Sequence, residues 1–237
     1  MSIRKFIVAA AAVAAFTTAF AASAEEDLSD QGIGAIGWTP VQIGLFAPVS
    51  YPWGFDWDVK GLEIDLFYAE AVRLQGLSIS GVATRSRDLF KGFSVTGLCN
   101  WHDVDACGVD ITLGANLCHE GFYGFAAGAF SMRQDMAGID VNFVGCYEKT
   151  SRSLKLAGMC NFSTEEVKGM EVALGLNMTK TFTGLQMGGI NFAHELTGAQ
   201  IGFFNIAEEC PCGLQLGLIN IIMDNKIKVL PITNFYF

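Results

Sequence analysis

The chain has 237 residues, with 15 Lys and Arg against 24 Asp and Glu, a net charge of −9; 51% of its residues are apolar and only 16% are charged. So acidic a balance argues against nucleic acid as a partner, because phosphate contacts need clustered Lys and Arg. The length suits one domain or one continuous repeat array.

Taken in chain order, residues 1–24 read as a secretory signal peptide. Arg4 and Lys5 give a charged start, Phe6 to Phe20 is an Ala-rich apolar run, and Ala22-Ser23-Ala24 is a small-residue cleavage site. Cleavage would leave Glu25 as the new N-terminus and, without Arg4 and Lys5, 13 basic residues against 24 acidic, a net of −11. The run is short for a membrane span. No Cys precedes Cys99, so lipid attachment at a cysteine just after the signal is not expected. Residues 25–38 read as an N-terminal linker and 39–237 as a single all-β repeat domain. No later stretch reaches the ~18 uninterrupted apolar residues of a spanning helix.

From about Gly61 to Asn220 the chain repeats itself every fifteen residues or so. The clearest copies open at Gly184, Gly198 and Gly213 and close at Asn191, Asn205 and Asn220: Gly-Leu-Gln-Met-Gly-Gly-Ile-Asn, Gly-Ala-Gln-Ile-Gly-Phe-Phe-Asn and Gly-Leu-Gln-Leu-Gly-Leu-Ile-Asn. Earlier units open at Gly61, Gly76, Gly92, Gly108, Gly121, Gly138 and Gly169, with Ser153 in place of one glycine, and Val41 to Phe46 is a first copy. Residues alternate inside each unit: Val109, Ile111 and Leu113 face one way, Asp110, Thr112 and Gly114 the other. Period two over six or seven residues is a half-buried strand with one aliphatic and one small, polar face. The closing Asn lies eight residues after the glycine in earlier copies and seven in the last three. Within a strand that slip would flip the side chain to the other face. The Asn is therefore placed at a bend, where it tolerates left-handed φ and bonds nearby backbone. A further apolar residue often lies two before the next glycine, as with Phe90, Val167, Phe182 and Leu196.

Two architectures can carry such units. In a β-solenoid each unit is one coil, like positions stack ~4.8 Å apart, and the array would be roughly 60 Å long. In an up-and-down barrel of outer-membrane type each unit is one strand with antiparallel neighbours. The aromatic end Asn234-Phe-Tyr-Phe237 suits the barrel. Short units, uniform connections and a repeated Gly-to-Asn polarity suit the solenoid, which is the expected fold; the barrel, a small pore, is the alternative.

On the motif Gly-Leu-Gln-Leu-Gly-Leu-Ile-Asn, with Ile-Ala-Glu-Glu between copies, the chain resembles a family of exported bacterial surface-repeat proteins. The likeness is close over Gly184 to Asn220 and at Val41 to Phe46. It is looser from Gly61 to Asn177, where Glu63, Ser78, Ser94, Asp110, Asp140, Lys155 and Glu171 replace the Gln. The resemblance implies an envelope location, in the outer membrane, at the cell surface or in the periplasm, and no enzymatic activity; it carries over no catalytic residue.

Residues capable of chemistry are sparse. Trp101-His102-Asp103-Val104-Asp105, Cys118-His119-Glu120 and His194-Glu195 follow no zinc or calcium spacing and read as solvated turns. Neither a metal site, nor a cofactor site, nor a catalytic constellation is expected. Seven cysteines leave structural disulfides and buried thiols both open. The aromatic insertion at 48–60 holds Tyr51, Trp53, Phe55 and Trp57; it reads as a cap over the open end of the array or as a surface contact. The chain is thus expected to be a non-enzymatic structural or binding scaffold of the envelope, with protein and glycan as partner classes.

Overall fold

The computed structural model describes residues 35–47, 49–54 and 56–236. The expected signal peptide, most of the expected linker and Phe55 lie outside the described residues. In chain order the strands are β1 (Gly37–Phe46), β2 (Val49–Tyr51), β3 (Trp57–Ser80), β4 (Ala83–Thr96), β5 (Cys99–His102), β6 (Ala106–Thr112), β7 (Ala115–Ala157), β8 (Cys160–Ile222) and β9 (Val229–Tyr236). Strands of 43 and 63 residues, as in β7 and β8, far exceed what a flat sheet carries. Each winds through several coils.

Successive coils pair in parallel. Gly76 lies opposite Gly92, Gly92 opposite Gly108, Gly108 opposite Gly124, and Ser153 opposite Gly169. The fold is a β-solenoid, and parallel neighbours discard the barrel alternative, whose strands would alternate in direction. Antiparallel pairing is confined to the two ends, β2 on β1 and β9 on Gly213–Ile221. Both ends are thereby covered by a strand that does not continue the winding. In β9, Pro231 lacks an amide donor and Ile232 has φ +70°, two features that blunt an edge against further pairing.

One unit boundary differs from the sequence reading: Gly124, not Gly121, opens its coil, because it pairs with Gly108 and has φ +147°. Phe-Tyr-Gly resets the frame there. The opening glycine is required twice over, as Gly184 shows. Its φ is +137°, and a Cβ built there would overlap the carbonyl oxygen of Gly169 one coil below. Gly198 repeats both features, whereas Gly213 has no left-handed φ and a Cβ there would meet Cys210 Sγ at 2.7 Å.

The two faces of the unit are oriented in reverse of an ordinary half-buried strand. Gln186, Gln200, Gln215, Asn191, Asn205 and Asn220 are fully buried, whereas Leu216 and Leu218 are exposed at 38% and 65%. Stacking explains why this is stable. Each Asn repeats every coil, so its amide bonds its own copy: Asn161 Nδ2 to Asn177 Oδ1, Asn177 to Asn191, Asn191 to Asn205 and Asn205 to Asn220, all at 2.8 Å. The same amide groups also donate to the backbone of the next coil, at Met187 O (2.8 Å), Ile201 O (2.9 Å) and Leu216 O (2.9 Å). A buried polar group so satisfied carries no desolvation penalty of the unpaired kind.

The Asn does not sit at a bend: Asn100, Asn116, Asn161, Asn177, Asn191, Asn205 and Asn220 all lie within strands, and in the first three the bend comes just before, at Gly97–Leu98, Leu113–Gly114 and Gly158–Met159. Nor is any of them in the left-handed region, since among the described residues Ile232 alone of the non-glycines has positive φ. The one-residue slip is absorbed between the Gln position and the Asn, which stay buried in both kinds of copy. There a Cβ on Gly188, Gly202 or Gly217 would lie 2.6–2.7 Å from the Nδ2 of Asn177, Asn191 or Asn205. The middle glycine of the motif therefore makes room for the inward Asn. The apolar core occupies the remaining side of the coil. Its spine is the residue two before the opening glycine, running through Leu74, Phe90, Ala106, Phe122 and Met136, then Val167, Phe182 and Leu196, with Cys210 three before Gly213 in the last coil, all buried.

Candidate binding face and the polar interior behind it

Behind the Gly-to-Asn segment runs a second buried column, at the Gln position. Gln215 Nε2 donates to Gln200 Oε1 and Gln200 Nε2 to Gln186 Oε1, each at 2.8 Å, and Gln186 Nε2 donates to Glu171 at 2.9 Å. Toward the N-terminus the column becomes ionic, since the residues that replace Gln there occupy the same interior place. Lys155 Nζ lies 3.0 Å from both Glu148 and Glu171 and donates to Ser163 at 2.7 Å. Burial alone would push this lysine down, but the two carboxylates outweigh it and hold the pKa above its ordinary value. Burial in turn raises Glu148, with Lys155 opposing. Arg133 lies 3.7 Å from Asp140 and over the Phe122 ring at 4.6 Å.

His102 is not in a solvated turn: it is 1% exposed, with Nε2 2.8 Å from Asp110 and Nδ1 2.6 Å from Ser86. The segment after Asn100 continues as strand β5, and alternation carries His102 inward. At the N-terminal end, Glu63 has one hydrogen bond, from Ser78 at 2.7 Å, and burial pushes its pKa up to about 8; burial raises the neighbouring Asp65 to about 6. These groups are closed within the solenoid. They hold coils together and present no reactive atom to solvent.

The outward side of the same segment carries only apolar and small residues. From Gly61 to Asn220, every charged residue in the Gly-to-Asn stretches (Glu63, Asp65, Asp110, Asp140, Lys155, Glu171) points inward and is buried. What faces solvent is one aliphatic column after each glycine, a second two residues further on, and a corner ridge. The second column includes Ile64, Ile79, Ile111, Ile201 and Leu216, all exposed. On the ridge Leu66, Leu113, Phe143, Leu174, Phe203 and Leu218 are 56–84% exposed. Small residues at Ala127, Gly128, Ala129, Ala157 and Gly158 leave an open depression of about 620 Å³ around Phe143, with Leu113 and Leu156 on its walls. With coils ~4.8 Å apart and ~3.3 Å per residue across, the face measures roughly 50 by 20 Å, on the order of 1,000 Å². Contiguous apolar patches on monomeric proteins are typically no larger than ~300–600 Å².

Charged side chains occupy the other outward surfaces. Arg73 lies 2.6 Å from Asp88, Arg87 2.6 Å from Asp56 and 3.1 Å from Glu70, Arg85 3.0 Å from Asp103, and His194 2.6 Å from Glu208. Most of these partners sit on adjacent coils, so the pairs tie the charged side together as the amide columns tie the interior.

The residues singled out from sequence fall into two groups. Gly184, Asn191, Gly198, Asn205, Gly213 and Asn220 build coils and corners and contact nothing outside them. In the aromatic insertion Tyr51 and Trp53 are 77% and 75% exposed. Trp57 is half-buried and donates its indole N–H to Trp53 O at 3.0 Å. The segment covers the first coil through β2, and its Tyr51–Pro52 bond is cis. All seven cysteines are unpaired; Cys107 and Cys212 are exposed, while burial raises Cys99 and Cys118 to about 12 and Cys210 to about 11. Among the described residues no group of three or more His, Cys, Asp or Glu could hold a metal ion. Sequence reasoning missed the apolar face, although its signal was present: no charge occurs at the aliphatic positions of any unit.

No protein-family model, no curated protein and no solved structure matches the chain.

Proposed function

We propose that the chain is a non-enzymatic, exported repeat protein of the bacterial envelope that serves as a binding scaffold, with the outward face of the Gly-to-Asn segments as its binding surface. The observation that carries this reading is the uncharged apolar face extending along the coils from Gly61 to Asn220, with Leu113, Leu174 and Phe143 exposed at 84%, 82% and 70%. Leaving so much apolar surface in water forgoes about 25 cal/mol for each Å², a cost a partner would relieve. Export rests on the reading of residues 1–24 and the envelope location on the resemblance of the repeat. The closed interior supports a scaffold rather than a catalyst, because its ionic groups neutralise one another out of reach of solvent.

Two measurements test this. An environment-sensitive apolar dye should brighten on the purified chain at high dilution, where the face is uncovered, and Leu113→Asp with Leu174→Asp should abolish the signal without changing the far-UV circular dichroism. Fusing residues 1–30 to a reporter should export it; retention of the reporter in the cytoplasm contradicts the envelope assignment, and an unaffected dye signal contradicts the binding face.

A further inference from the structure

The relief of the apolar face identifies what fits it. Along the corner ridge the residues run Leu66, Gly81, Gly97, Leu113, Ala129, Phe143, Gly158, Leu174, Gly189, Phe203 and Leu218, with large and small alternating from coil to coil between Leu113 and Phe203. The large ones between those two stand out, at 84%, 70%, 82% and 62% exposed. Over that stretch knobs recur every second coil, roughly 9.6 Å apart, with a notch of the same spacing between them. The depression around Phe143 is two such notches, at Ala129 and Gly158, one on either side of the knob.

We propose that this face binds the same face of a second copy of the chain, antiparallel, about a two-fold axis between the coils that open at Gly138 and Ser153. That operation sets Phe143 against Gly158 of the other copy, Leu174 against Ala129, Leu113 against Gly189, Phe203 against Gly97 and Leu218 against Gly81, and each pairing occurs twice. Knobs meet notches in a single closed, isologous interface. The inference rests on the reading of this face as the binding surface and names its partner.

Three observations favour a second copy. From Gly81 to Leu218 the order of knobs and notches, irregular at both ends, is complementary to its own reverse, and another copy of this chain carries that order. The area is sufficient, since on the order of 1,000 Å² per copy exceeds the ~800 Å² per partner of a standard stable interface. Charge disfavours the main competitor, an anionic lipid surface, because the chain carries a net −9. A fluid bilayer also requires no relief. The face itself holds no outward charge, so like-charge repulsion between copies is confined to the remote surfaces and is screened over ~8–10 Å.

The test is the oligomeric state of the purified chain by sedimentation equilibrium, using a knob-for-notch exchange. Wild type should be a dimer at micromolar concentration. Leu174→Ala should weaken it by removing two knobs, and Ala129→Leu should weaken it by filling two notches. Either loss should amount to at least roughly 100-fold in dissociation constant, tenfold for each of the two equivalent contacts. The double variant Ala129→Leu with Leu174→Ala should recover most of the affinity, which generic stickiness of an apolar surface would not do. Secondary structure by circular dichroism keeps misfolding apart from dissociation. A monomeric wild type, or a double variant as weak as the sum of its parts, overturns the two-fold pairing. If the monomeric wild type still binds the apolar dye or sediments with phosphatidylcholine or phosphatidylglycerol vesicles, the binding-face reading survives with lipid as the occupant. If it does neither, that reading fails as well.

Discussion

Replacing Asn205 by Ala removes one rung of the amide column in the interior of β8. The side chain is fully buried. It accepts from Asn191 at 2.8 Å and donates to Asn220 Oδ1 at 2.8 Å and Leu216 O at 2.9 Å. Asn191 keeps its bond to Ile201 O, but Asn220 Oδ1 loses its donor in a place water does not reach. Three buried bonds at about 1 kcal/mol each, with a further contribution from the orphaned acceptor, give roughly 3–4 kcal/mol. In a domain of this size each kcal/mol lowers Tm by about 2–4 °C, so a fall of roughly 7–14 °C is expected. Thermal unfolding followed by both circular dichroism and Trp fluorescence is the assay, since repeat arrays can melt in parts. Leu218→Ser is the control: although apolar, its side chain is 65% exposed, and in dilute solution the change should stay within ~0.5 kcal/mol. If Asn205→Ala melts with wild type while Leu218→Ser collapses, the polar groups do not hold the coils together and the reasoning is wrong.

Lys155→Met leaves Glu148 and Glu171 facing one another without their shared cation. A loss of about 3–5 kcal/mol is expected, largest at alkaline pH and partly recovered by adding Glu148→Gln and Glu171→Gln; equal stability at pH 5 and pH 9 would argue against the ionic column. Glu63 holds its proton up to about 8 in the folded chain, against 4.5 for the ordinary carboxyl. The unfolded chain therefore binds fewer protons between those values, and stability should fall as pH rises from about 4.5 to about 8 and then level off. Glu63→Gln should flatten that slope and stabilise the chain at pH 8 by a few kcal/mol, as urea titrations across the range would read; an unchanged slope counts against burial of a neutral carboxyl. Thiol labelling of the native chain should proceed quickly at Cys107 and Cys212 and slowly at Cys118 and Cys146, with all seven reacting in denaturant without reductant. Fewer than seven would reveal a disulfide that the fold does not contain.

The fold was readable from sequence because stacking imposes periodicity: Gly-to-Asn units of one polarity demand neighbours that run the same way. The apolar spine two residues before each glycine was legible for the same reason, through Phe90, Val167, Phe182 and Leu196. Orientation was not legible. Alternation in Leu214-Gln-Leu-Gly-Leu218 shows that two faces differ, but period two is unchanged when inside and outside are exchanged. What decides it is the bonding of Gln215 and Asn220 to their copies one coil away, a contact between residues about fifteen positions apart. His102 was misplaced by the same route, since its buried partners Ser86 and Asp110 belong to neighbouring coils. The Phe-Tyr-Gly frame reset at Gly124 was hidden because Gly121 opens an equally plausible unit. The binding face followed only once the polar columns were known to fill the interior, leaving the aliphatic columns outside.

Hydroxyl-radical footprinting of the unmodified chain, read by mass spectrometry at a dilution where it is monomeric, tests this inverted arrangement most directly. Oxidation is expected to be fast at Leu113, Leu174, Phe203 and Leu218, which are 62–84% exposed, and negligible at Phe182, Leu196 and Ile222, which are fully buried. Protection of the first group, at a rate no greater than that of the second, would mean that the aliphatic face lies inside and would contradict the structure and the binding face built on it.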